Sequence, residues 1–182
     1  MTPQNFRQLA LFKAPDLAHG GDLRTGKRKI RRPLDPKRPI HLVLKSSRAR
    51  GKSSLLQSHY KKRIEFLIEQ SAKRYGIKIY HFANVGNHLH LLVRTPARAN
   101  FQNFLRIITG KIAILVTKAK KGEKKGKFWD ALSFTRVIHW GRDFKQLTTY
   151  FIKNQIEGFG YGVDVAKKLL RNGSLAWVEK SG

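Results

Sequence analysis

The stretch from Ile77 to Thr95 restricts the fold more than any other part of the chain. IKIYHFA (77–83) is rich in β-branched and aromatic residues. A Val85-Gly86-Asn87 turn then leads directly into HLHLLVRT (88–95). Two β-rich runs joined by so short a turn predict an antiparallel hairpin. The flanks add helices. In HYKKRIEFLIEQSAKRYG (59–76), Tyr60, Ile64, Leu67, Ile68, Ser71 and Tyr75 share one helical face, and Gly76 is the natural stop. After the hairpin, Phe101, Phe104, Leu105, Ile108, Ile112, Leu115, Val116 and Ala119 keep helical spacing.

Further strands bracket this unit. PIHLVLK (39–45) alternates Ile40, Leu42 and Leu44 against His41, Val43 and Lys45, and WDALSFTRVIHW (129–140) reads as a strand. DFKQLTTYFIKNQIEGFG (143–160) reads as an added helix with Asp143 as its N-cap. The resulting order predicts an α+β, ferredoxin-like split βαββαβ: an antiparallel sheet, two helices on one face, and the other face open for a site. Alternation along 88–94 sends Leu89, Leu91 and Val93 into the core and His88, His90, Leu92 and Arg94 to the open side. We divide the chain into an arm (1–38), a catalytic domain (39–160) and a C-terminal extension (161–182).

Charge indicates the partner. The 182 residues carry 38 Lys plus Arg against 11 Asp plus Glu, a formal net charge of +27. Such self-repulsion favours a polyanionic partner, and phosphate contacts release condensed counterions. RTGKRKIRRPLDPKR (24–38) holds eight basic residues and two prolines, so it is expected to pack poorly and to lie along phosphate through Arg24, Lys27, Arg28, Lys29, Arg31 and Arg32. The lysine-rich loop 118–127 joins it in this role. Phe128, Trp129, Trp140 and Tyr161 are of the type that stacks on unpaired bases, although core packing is the commoner use. The absence of cysteine excludes disulfides and thiolate metal sites, no apolar run is long enough to span a membrane, and the start lacks a secretory pattern; a cytoplasmic protein is expected.

His88 and His90, at i and i+2 on a strand, project the same way and can share one divalent ion, with Zn, Mn, Ni and Mg all open. A third ligand is required. In TTYFIKNQIEG, Tyr150 and Asn154 lie four residues apart on one helical face. Tyr150 can attack a phosphodiester, and the Asn154 amide oxygen can complete the ligand set, with Gln155 the competing choice. His41, His59 and His81 are read as unpaired packing or surface residues, and His139 as structural.

GNHLHLLV, a long helix, and YFIKN towards the end together resemble the HUH single-tyrosine transposases of the IS200/IS605 type, and most closely their REP-associated relatives (RAYTs), over residues 38–160. The resemblance implies the same fold. It assigns His88, His90 and Asn154 to Mg²⁺ or Mn²⁺, and Tyr150 to attack on DNA with formation of a 5′-phosphotyrosine. It further implies a single-stranded or hairpin substrate and a homodimer. Arg94, on the histidine side of its strand, is a candidate phosphate contact. The alternative function is a non-catalytic DNA- or RNA-binding protein on the same fold.

Overall fold

A computed structural model describes residues 17–21, 30–123 and 125–158, the last six by backbone alone. In chain order it contains β1 (Ala18–His19), β2 (Ile40–Lys45), α1 (Ser58–Arg74), β3 (Lys78–Asn84), β4 (His88–Arg94), α2 (Arg98–Thr117), β5 (Phe134–Val137) and α3 (Arg142–Gly158). The sheet order is β1-β5-β2-β4-β3, and every pairing is antiparallel. The four strands from β2 onward give the order expected of a split βαββαβ.

Hydrophobic alternation sets the register. Leu44 pairs with Leu89, Leu42 with Leu91 and Ile40 with Val93, so these six side chains share one face. That face packs on Ile64 and Ile68 of α1 and on Phe101, Phe104, Ile108 and Ile112 of α2, all buried. A slip of one residue would turn the whole apolar set to the other side. The same register places His41, Val43 and Lys45 beside Leu92, His90 and His88 on the opposite face.

That opposite face is not open as expected. α3 lies across it, burying Leu147 and Phe151 against Ala83, Leu92 and Ile138. The physical reason is the apolar stripe of α3, which needs a surface to cover. Asp143 also differs from its expected role. The helix begins at Arg142, so Asp143 sits in the first turn rather than at the cap. Its carboxylate accepts hydrogen bonds from the His139 N–H (3.1 Å) and from both terminal nitrogens of Arg136 (3.0 and 3.2 Å). Burial alone would raise its pKa, but these bonds hold it below the ordinary value.

The arm is corrected in part. Ala18 and His19 add an edge strand to β5, and His19 hydrogen-bonds to the Ile30 carbonyl through Nε2. Arg32 donates to the Ser133 carbonyl (2.8 Å) and to the Thr135 hydroxyl, and Leu34 packs against the main core. Partly buried carbonyl and hydroxyl acceptors near the sheet edge give this guanidinium a better partner than solvent. The strand expected over 129–140 is short, because residues 128–132 bend before β5 begins. Residues 24, 27, 28, 29, 161 and the extension 161–182 lie outside the described residues. Among the described residues no helix is long and apolar enough to cross a membrane.

Candidate active site

The β3–β4 turn aims the first histidine. Gly86 adopts φ +92°, and a Cβ there would meet the Ser54 hydroxyl oxygen at 3.0 Å. The turn is bound to the segment before α1. Leu55 N–H donates to the Gly86 carbonyl (2.8 Å), Ser46 N–H donates to the Asn87 carbonyl (2.9 Å), and the Asn84 amide donates to the Leu55 carbonyl (2.8 Å). So fixed, Asn87 presents its side-chain oxygen to His88 Nδ1 at 2.5 Å. With Nδ1–H donating there, the Nε2 lone pair of His88 is left for another partner.

His90 follows on the same face, its ring centroid 4.7 Å from that of His88. It is 4% exposed, and its Nε2 is a buried polar atom with no hydrogen-bond partner. Native proteins rarely leave such an atom unsatisfied, and a ligand is one of the standard reasons. Its Nδ1 lies 3.1 Å from Nε2 of His41. Burial, then His41 and His88, push the His90 pKa down to about 3; burial and Arg136 push His41 down to about 4, against the opposing pull of Asp143. His88 is lowered by burial and by Lys45. These imidazoles are therefore neutral at neutral pH, the form that ligates metals.

α3 brings the tyrosine. Leu147, Phe151 and Ile152 are buried, but Tyr150 is 43% exposed. Adjacent helical residues differ by about 100° in direction, so burying Phe151 turns Tyr150 out of the core. The Tyr150 ring still meets His90 edge to face, at a centroid distance of 5.6 Å. Tyr150 is therefore not part of the core formed by Leu147 and Phe151. Asn154 and Gln155 lie one turn further along α3, and their side chains fall outside the described residues. Among the described residues no group of three His, Cys, Asp or Glu could hold a metal ion. Two imidazoles with free Nε2 positions do fit a divalent ion that takes its remaining ligands elsewhere.

Other expected residues disperse. Arg94 is exposed and shares the face of the histidines, but it sits opposite Lys78 at the far end of β4, about 20 Å from His88. Arg31 is exposed, whereas Arg32 is engaged with Ser133 and Thr135. Trp129 donates to the Thr109 carbonyl, and Phe128 is buried in the core. A cavity of about 830 Å³, lined by Val43, Leu44, Lys45, Thr109, Trp129 and Phe134 among others, lies at the end of β2 where Lys45 pairs with His88. His41 was missed as a member of the site. The signal was present: it alternates with Ile40 and Leu42, and β2 lies next to β4 in the expected topology.

Comparison with known proteins agrees with this fold. The profile of the family described as IS200-like transposase matches residues 38–155. A solved REP-associated tyrosine transposase, bound to a REP hairpin, superposes with a TM-score of 0.51 at 12% identity over 71% of this chain and 73% of its own. That likeness speaks for the fold. A structure from Deinococcus radiodurans named as a candidate transposase gives a TM-score of 0.42 at 18% identity, over 70% of this chain and 97% of its own. No curated protein matches the chain. The family match spans more than half of the sequence and contains β2 to β5 together with Tyr150: this chain belongs to the IS200-like transposase family.

Proposed function

We propose that this protein cleaves and rejoins single-stranded or hairpin DNA through a covalent 5′-phosphotyrosine. The observation that carries this reading is the placement of Tyr150, turned out of the core yet packed against His90. The Tyr150 hydroxyl oxygen attacks the scissile phosphorus, the bond from phosphorus to the 3′ oxygen breaks, and a 3′ hydroxyl leaves. A second strand end reverses the step and frees the tyrosine.

His88, His90 and Asn154 hold Mg²⁺ or Mn²⁺ in this reading. The ion, when bound, would withdraw negative charge from the scissile phosphate. Exposed Arg31, with Arg24, Lys27, Arg28 and Lys29, grips the backbone, and Arg94 makes a distant phosphate contact. The cavity walled by Lys45, Trp129 and Phe134 suits an unpaired base. One nucleophilic tyrosine per chain requires two copies where two strands are cut, which favours a homodimer. The REP hairpin held by the structural neighbour supports hairpin DNA as the substrate class.

The test is a reaction with pooled hairpin oligonucleotides and Mn²⁺, beside Tyr150→Phe, read on a denaturing gel. A protein–DNA adduct formed by the wild type alone is the expected result. Cleavage by Tyr150→Phe at the wild-type rate removes Tyr150 as nucleophile. Binding without an adduct from either protein leaves a DNA-binding role on a transposase fold.

A further inference from the structure

We propose that His41 is a positioning residue that fixes the tautomer of His90 and so presents the His90 Nε2 lone pair for metal binding. This rests on the reading that His88 and His90 hold a divalent ion.

Two ring nitrogens 3.1 Å apart, His41 Nε2 and His90 Nδ1, share one proton. If His41 donates it, the neutral His90 ring carries its own proton on Nε2. That N–H is then buried with no acceptor, and it blocks the position an ion would take. If His90 donates it, Nδ1–H is satisfied and Nε2 keeps a lone pair. His88 reaches the same state by a different route, because Asn87 Oδ1 occupies its Nδ1. The two imidazoles then offer matching Nε2 lone pairs from one sheet face. A metal-ligating histidine whose other nitrogen donates to a fixed acceptor binds more firmly than a free one.

The surroundings of His41 suit an acceptor that does not move. The residue is 8% exposed, and its ring meets the edges or faces of Phe134 and Phe151 at centroid distances of 6.1 and 5.5 Å. Phe151 belongs to α3, so the element that carries Tyr150 also clamps the residue orienting His90. A carboxylate in place of His41 would bury a charge beside Phe134 and Phe151, whereas a neutral imidazole accepts the bond without one.

The experiment uses the full chain with His41→Phe and His41→Gln. Phe keeps an aromatic ring but offers no acceptor; Gln places an amide oxygen near the former Nε2. Mn²⁺ titration followed by the free-ion electron paramagnetic resonance signal should show binding weakened about 10- to 100-fold in His41→Phe and restored to within a few fold in His41→Gln. Long-range ¹H–¹⁵N spectra of the metal-free wild type should show His90 protonated on Nδ1, a reading that needs no variant to fold. A wild-type His90 protonated on Nε2, or His41→Phe binding Mn²⁺ as tightly as wild type, overturns the role of His41. A wild type that binds no Mn²⁺ overturns the metal reading itself, and the inference with it.

Discussion

Arg136 holds Asp143 through two hydrogen bonds, 3.0 and 3.2 Å, and thereby ties β5 to the first turn of the helix that carries Tyr150. The same carboxylate accepts the His139 N–H, so three donors converge where β5 turns into α3. Trp140, Phe144 and Tyr80 pack together at this end, and the Trp140 indole donates to the Lys37 carbonyl. Tyr150 lies two turns further along, so its aim depends on this anchor.

Asp143→Ala should therefore act on catalysis more than on folding. The pair is partly exposed, so its loss should cost only about 0.5–1 kcal/mol. Adduct formation should fall about 10-fold while hairpin binding stays within about twofold, because small misplacements of a reacting group are costly. Comparing the two assays on one protein preparation separates these effects. Unchanged adduct formation would show that α3 is seated without Asp143.

Neighbouring side chains on α3 should behave in opposite ways. Phe151 is 1% exposed and packs on Leu92 and Ala83, so Phe151→Ala should cost about 3–5 kcal/mol in urea unfolding. Tyr150→Phe removes only an outward hydroxyl and should leave stability within about 0.5 kcal/mol while abolishing the adduct. A large stability loss in Tyr150→Phe would mean that its hydroxyl is structural.

Much of this was readable from the chain because alternation and helical spacing are one-dimensional signals. Leu89, Leu91 and Val93 pack on α1 and α2 as their period requires, and His88 and His90 fall on the other side. The two-helix, four-strand order was legible for the same reason. What was not legible came from pairing between distant segments. β1 is two residues long and has no pattern of its own, and its strand character comes from β5. Arg32 looked like one more cation in a basic run until Ser133 and Thr135 supplied its acceptors. His41 lies 49 residues from His90, so its role becomes visible only when β2 and β4 are set side by side.

Stability should respond to acid through the buried imidazoles. In the unfolded chain each titrates near its ordinary pKa of about 6.5. In the folded chain His41 does so at about 4 and His90 at about 3, burial being the main cause. Between these values the unfolded state binds more protons, so acid favours it. The contribution is complete above pH 6.5 and is lost progressively as pH falls towards about 4 and then 3. From pH 6.5 to 5.0 each group should cost about 2 kcal/mol. Urea unfolding in EDTA at these two values, for wild type and His90→Phe, checks this. The variant should show a visibly shallower pH dependence, and an equal slope would mean that His90 takes up protons in the native state.

The salt dependence of DNA binding tests the basic arm, but truncation is the wrong way to probe it. Deleting residues 1–38 would remove β1, the Arg32 contacts and the packing of Leu34, so weakened binding could follow from damage to the fold. Replacing Arg24, Lys27, Arg28 and Lys29 with alanine removes four charges and leaves those contacts alone. Each phosphate contact contributes about 0.7 to 0.9 to the slope of log K against log salt, so the fourfold variant should lower the slope by about 3. Fluorescence anisotropy of a labelled hairpin between low and physiological salt measures it. An unchanged slope would assign the phosphate contacts to other cations, with exposed Arg31 and Lys45 beside the His88 end of the sheet the first to examine.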